Sequence, residues 1–170
     1  MKKLKPSKEW RDILNKKGYT RNYPFKNKDL EKIKQKLLKL GGWAVILPKE
    51  ELDNDEYLER GKIFDGKSTL KLGEQSQCHA NTARLWHESK EKIKICTGYA
   101  LSGDGVWRVH TWGIQKTGTK IKIIETTEKR IKYFGYVLSR IESSFFLHIN
   151  MESRPDSELI DTVSLHTDPT

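Results

Sequence analysis

Cys78, His110 and Glu125 are the residues of this chain whose types and order could do chemistry together. A thiol becomes a nucleophile when a base takes its proton, and the base works best when a carboxylate orients it. Cysteine, histidine and an acid occur in that order, in the settings CHANTARLWHE, VWRVHTWGI and KIKIIETT. Brought together they would attack an amide or ester carbonyl, the chemistry of a cysteine hydrolase or acyltransferase. A free thiol titrates at about 8.5 and is mostly protonated at neutral pH. The element that carries Cys78 must therefore also lower its pKa.

CHANTARLWHE reads as a helix, with Ala80, Ala83, Leu85 and Trp86 as a possible buried face. Ser76 is the expected N-cap, which puts Cys78 in the first turn. Unpaired N–H groups and the helix dipole there stabilise a thiolate. The same N–H groups could hold an oxyanion, and Gln75 or Gln77 is a candidate second donor, unless both are plain loop residues. Three strands follow, IKICTGYAL, VWRVHTWGI and KIKIIETT, joined by SGDG and KTGT, both rich in hairpin turn residues. Alternation puts Arg108, His110 and Trp112 on one side of their strand. A two-residue turn at Thr117-Gly118 would pair Trp112 with Ile123 and His110 with Glu125, at about 4.5–5.5 Å between Cβ atoms. A one-residue slip would turn Glu125 to the opposite face. Trp112, Trp107 and Tyr99 are candidate walls of a substrate site, and core packing explains them equally well.

The rest of the chain supplies scaffold. Ser7 caps a helix through KEWRDILNKKG that ends at Gly18, and a second helix runs from Lys28 to Leu40, with Leu30, Ile33, Leu37 and Leu40 at helical spacing. Gly41-Gly42 ends it. WAVILP reads as a short strand stopped by Pro48. Residues 49–73 are polar, with one or two helical turns in ELDNDEYLERG and a loop at FDGKST, a candidate cover for the site. Thr126 or Thr127 is expected to cap a last helix, EKRIKYFGYVLSRIESS, packed on the sheet through Ile131, Phe134, Val137, Leu138 and Ile141. FFLHI extends that helix or forms a final strand. The expectation is a single α+β domain over residues 1–153, with a basic helical start, and a mobile acidic tail over residues 154–170.

Composition sets the outer limits. A chain of 170 residues is one domain long. Five Trp, six Tyr and five Phe supply core material for a sequence that is 32% charged. No apolar run is long enough to span a membrane, and MKKLKPSKEW lacks the apolar stretch of a secretory signal. Two cysteines do not make a disulfide framework, so a cytoplasmic setting with reduced thiols is expected. The net charge of +9 is uneven: the first forty residues hold twelve Lys and two Arg against four acids. That face could meet nucleic acid, an acidic partner or a membrane surface, or it is a solvated helix surface.

From Gly73 to Thr127 the ordered motifs Cys78, Gly98-Tyr99, His110-Thr111-Trp112 and Glu125-Thr126-Thr127 resemble the transglutaminase-like group of thiol enzymes, within the wider papain-like fold. In that group a Cys opens a helix, a strand often carrying Gly-Tyr follows, then one with His-x-Trp, then one with Asp-x-Thr. The resemblance implies an α+β core, with Cys78 as nucleophile, His110 as general base and acid, and Glu125 as orienting carboxylate. It implies a protein or peptide substrate and one of several activities: peptide or amide hydrolysis, acyl transfer between side chains, or deglycosylation. Some relatives are non-catalytic binding modules. The chain departs from the pattern in having Glu where Asp is usual, and in lacking a strong family signature at GEQSQC.

Two other constellations point elsewhere. Cys78, His79, His87, Cys96 and His110 match no zinc-ligand spacing, and adjacent Cys78 and His79 are expected to point in different directions on a helix, so no metal is expected. Trp107, Arg108, Trp112, Lys129, Arg130, Lys132 and Tyr133 mix aromatic and basic residues in a way that can suit nucleic acid, although aromatic residues in a small domain are commonly core. No phosphate loop appears, and no nucleotide cofactor is expected.

Overall fold

The computed structural model describes residues 7–48, 54–65 and 67–152, which form a mixed α+β structure around a curled, mostly antiparallel sheet. The expectations for the extreme N-terminus and for the tail from Arg154 lie outside the described residues. Helix α1 spans Lys8–Lys16, and Ser7 Oγ accepts the Trp10 N–H at 3.2 Å to start it. Helix α2 spans Lys28–Leu40, capped by Asn27 through the N–H groups of Asp29 and Leu30. Leu30, Ile33, Leu37 and Leu38 are buried, while Leu40 is only partly covered. Lys34, counted from sequence with the basic surface, is fully buried and donates to the carbonyls of Gly18 at 2.8 Å and Tyr23 at 2.7 Å. It fastens the α1–α2 connection.

The remaining elements are β1 (Ala44–Val45), α3 (Asn54–Glu59), β2 (Lys62–Phe64), β3 (Lys67–Leu70), α4 (Cys78–Glu88), β4 (Lys94–Leu101), β5 (Val106–Thr117), β6 (Lys120–Glu125), β7 (Lys132–Val137) and α5 (Arg140–Glu152). The sheet runs β2-β7-β4-β5-β6-β3, with β1 beside β5. The β3–β6 and β1–β5 pairs are parallel and the others antiparallel. Alternation along the strands builds two cores. Ile95, Tyr99, Trp107, Phe134 and Tyr136 pack with α2, Tyr57 of α3 and Trp86 of α4. Phe64, Cys96, Trp112, Ile123 and Tyr133 fill the other face. No helix among the described residues is long and apolar enough to cross a membrane.

Two segments differ from their sequence expectation. FDGKST, read as a loop, holds the end of β2 and most of β3. Both strands are short and largely exposed, so they carry little hydrophobic alternation, and backbone pairing to β7 and β6 defines them. The expected last helix from Thr126 or Thr127 is split: residues 132–137 are strand β7, and only the part from Arg140 is helical. Tyr133-Phe134-Gly135-Tyr136-Val137 is an aromatic, strand-favouring run around a glycine. Gly135 sits opposite Gly98 of β4, where a Cβ on either would fall 2.1 Å from the facing strand's backbone. FFLHI continues α5, as one of its two readings allowed. That helix starts at a capping box: Glu142 N–H donates to Ser139 Oγ at 3.2 Å and Ser139 N–H donates to the Glu142 carboxylate at 2.6 Å.

Candidate active site

The chain brings Cys78 to the sheet by a short clipped path. Leaving β3, the Lys71 N–H donates to the Glu125 carbonyl at 2.8 Å and the Gly73 N–H to the Thr126 carbonyl at 2.9 Å. Asn81, buried on α4, then grips Glu74: its Oδ1 accepts the Glu74 N–H at 3.1 Å and its Nδ2 donates to the Glu74 carbonyl at 2.7 Å. A Cβ on Gly73 would lie 2.4 Å from the Asn81 side chain, so a glycine is needed for this approach. The segment before Cys78 is thus tied to the end of β6 on one side and to α4 on the other. Sequence reading missed Asn81, because a polar residue at a helical position carries no periodic signal.

Helix α4 begins at Cys78 itself. Its N-cap is Gln77, with no side-chain cap bond, and not Ser76, which adopts φ +62°. Cys78 therefore sits at the first helical position, where backbone N–H groups lack intrahelical partners. Gln75 and Gln77 are both exposed in the turn ahead of the helix.

His110 comes from β5 and Glu125 from the end of β6. The turn is centred on Gly118-Thr119, with Thr117 opposite Lys120 and Ile114 opposite Ile123, not on Thr117-Gly118. Gly118 has φ +59°, as the first central position of a II′ hairpin turn requires. The register is therefore shifted by two residues from the expectation that paired Trp112 with Ile123. A shift of two preserves the side-chain face, so His110 and Glu125 still meet, diagonally rather than directly opposed. His110 Nε2 donates to the carboxylate at 2.9 and 3.0 Å. The extra methylene of Glu over Asp suits this diagonal reach.

The carboxylate is saturated. Besides His110 it accepts from the N–H groups of Thr126 at 3.0 Å and Thr127 at 3.3 Å, and from the Tyr133 hydroxyl at 3.0 Å. Glu125 is 0% exposed and His110 2%. Burial pushes Glu125 up, but the bond and charge of His110, with the Tyr133 and Thr127 donors, hold it below the ordinary carboxylate range. Burial likewise pushes His110 down, and bonding to Cys78 and Glu125 raises it overall. Because Nε2 faces Glu125, Nδ1 is the nitrogen left for the thiol. Burial pushes Cys78 up, yet hydrogen bonds to His110 and His79 outweigh it and bring the thiol to about 5. Sequence reading expected Cys78 and His79 to diverge, whereas Sγ lies 3.1 Å from His79 Nδ1. Tyr133, from the strand read as helix, is a further site residue; a strand reading of YFGYV would have exposed it.

The expected wall residues are buried. Trp112 stacks on His110, with ring centroids 6.3 Å apart, and touches Tyr133. Trp107 donates from Nε1 to the Gly41 carbonyl at 2.8 Å, and Tyr99 packs against Tyr57 in the helix-covered core. Full burial favours the packing explanation of all three. Among the described residues no group of three or more His, Cys, Asp or Glu is placed to hold a metal ion. Compared with protein-family models, curated proteins and solved structures, the chain finds no match.

Proposed function

We propose that this chain is a thiol-dependent hydrolase or acyltransferase acting on amide bonds of a protein or peptide substrate, built on a transglutaminase-like or papain-like core. The observation that carries the reading is a His110 imidazole that donates to a buried and saturated carboxylate, together with a half-buried Cys78 thiol brought down to about 5 by His110 and His79. The Cys78 proton moves to His110 Nδ1, and the thiolate attacks the amide carbonyl. The first-turn N–H groups of α4 take the oxyanion. The C–N bond breaks as the imidazolium protonates the departing amine, leaving a thioester. Water or a second amine attacks it, gives its proton to His110, and expels the thiolate. Glu125 keeps the Nε2–H tautomer and so aims Nδ1 at sulfur. A reactive reduced thiol suits the cytoplasm.

Iodoacetamide labelling with mass-spectrometric site mapping tests the reading, together with a panel of activated amides and esters. Cys78 should alkylate at pH 6.5 while Cys96 does not, and a Cys78 thioester should accumulate with at least one ester. An ordinary thiol titration at Cys78, with acyl transfer intact in Cys78→Ala, would sink it.

A second reading has one observation in its favour. A groove of about 380 Å³ on the sheet is lined by Lys62, Lys92, Lys94 and Lys116 over an apolar floor that includes Phe64 and Ile114. That suits a binding module for an acidic partner. Nucleic acid is a weaker fit, since Trp107, Trp112 and Tyr133 are buried and cannot stack on bases. Binding of an acidic peptide that is lost in Lys62→Glu/Lys94→Glu, in a protein whose Cys78 is inert, would favour this reading.

A further inference from the structure

Cys78 has two imidazoles within reach of its sulfur, and only one belongs to the Cys-His-acid series. His79 Nδ1 is 3.1 Å from Sγ. Its ring stacks on Phe146 of α5, with centroids 5.7 Å apart and planes 21° from parallel. That stack fixes the ring plane, and with it the direction in which Nδ1 points. The two histidines differ in exposure: His110 is buried on β5, while His79 is half-buried at the start of α4.

We propose that His79 is a second catalytic residue, an imidazole that shares the Cys78 proton with His110 and exchanges it with solvent and substrate. The inference rests on the reading of Cys78 as nucleophile. His110 can offer the thiol proton only Nδ1, because Nε2 is committed to Glu125, and its ring is 2% exposed. His79 offers that proton an open route. In acyl transfer, the thiol proton passes to either imidazole as the C–S bond forms. The amine leaves with the proton from the imidazole nearer to it, and the incoming water or amine returns one, so the balance closes without another reactant. The titratable groups acting on the sulfur are His79 from α4 and His110 from β5, with Glu125 of β6 and Tyr133 of β7 behind His110. Helix α5 contributes the uncharged Phe146 ring. Charge and hydrogen bonding from His79 also help to hold the Cys78 thiol down.

The test is the pH dependence of Cys78 alkylation by iodoacetamide in the wild type, His79→Phe, His79→Asn, His110→Ala and His79→Phe/His110→Ala. His79→Phe keeps a ring against Phe146 and removes the nitrogens, and His79→Asn controls for the new ring; thermal melts monitor folding of each. The expected result is a fall in the rate at pH 6 of roughly tenfold in each single variant and more than about a hundredfold in the double variant. His110→Ala would then retain a thiol more reactive than that of the double variant. Superimposable profiles for wild type and His79→Phe, with His110→Ala matching the double variant, would overturn the role of His79 and leave the proposed function standing. An ordinary thiol already in the wild type would overturn both.

Discussion

Cys78 and Cys96 are the same side chain in two regions of one small structure, and they behave as different chemical groups. Cys96 lies mid-strand in β4, fully buried in a core of Phe64, Trp112, Ile123 and Tyr133. Burial pushes its thiol far up, because nothing nearby compensates a sulfur anion beyond the distant charge of Lys62. Cys78 is also largely covered, yet its thiol falls to about 5 through His110 and His79. Desolvation is common to both. What separates them is a partner that gains a proton as sulfur loses one.

That contrast can be broken experimentally. The largest effect belongs to Cys78→Ala, expected to reduce acyl transfer by on the order of 10⁴-fold or more while sparing the fold. Steady-state kinetics and a thermal melt read both parts. Next comes Glu125→Gln, expected to lower kcat by roughly 10²–10⁴-fold and leave measurable activity. Gln cannot accept from all of His110, Thr126, Thr127 and Tyr133, and it favours the wrong imidazole tautomer; NMR of the His110 ring nitrogens would report the switch. Cys96→Ser should act on stability alone, costing about 1–3 kcal/mol for a hydroxyl in an apolar core, with Cys78 alkylation unchanged. Tyr133→Phe removes one of several donors to a carboxylate that keeps the others, so a loss of about 1 kcal/mol in denaturant unfolding and a severalfold loss in rate are expected.

The pH dependence of stability sharpens the same comparison. Cys78 has a depressed folded pKa, so its contribution is present above the unfolded thiol value and fades as pH falls through about 5. His110 has a raised folded pKa, so its contribution is complete below about 6.5 and is lost as pH rises through the folded value. Stability should therefore climb from about pH 5 to 6.5, where the Cys78 contribution acts alone, and climb less steeply above about 6.5, where the loss of the His110 contribution opposes it. Urea midpoints across that range check it, and Cys78→Ala should flatten the rise. An unchanged rise in that variant would place the titrating group elsewhere.

How much of this was legible in the sequence follows from which interactions are local. The caps at Ser7, the helix Lys28–Leu40, the existence of β4, β5 and β6, and the meeting of His110 with Glu125 all rest on short-range patterns. The hairpin register was off by two, since Thr117-Gly118 and Gly118-Thr119 are equally plausible turns by composition, and only parity protected the pairing of faces. Strand β7 was missed because its apolar residues also fit a helical period, and only pairing with β4 and β2 decides between the two. Strands β2 and β3 have almost no side-chain pattern to read. The Asn81 clip and the Cys78–His79 contact depend on loop geometry that no spacing encodes.

Strand β7 has a consequence for when the Cys78 thiol acquires its environment. Tyr133, the last donor to Glu125 in the chain, arrives on a strand that threads between β4 and β2 after both have been made. A growing chain exposes Cys78 before β5 delivers His110, and β7, which pairs with β4 across the β5–β6 hairpin, is the more distant pairing and forms later. Through that interval the thiol titrates at about 8.5, protonated and slow to react. The lowered thiol therefore waits for β5 to set His110 beside it and for α5 to set Phe146 against His79. Pulsed alkylation at pH 6 during refolding should show Cys78 labelling appear with the final folded signal, and labelling that precedes it would exclude this ordering.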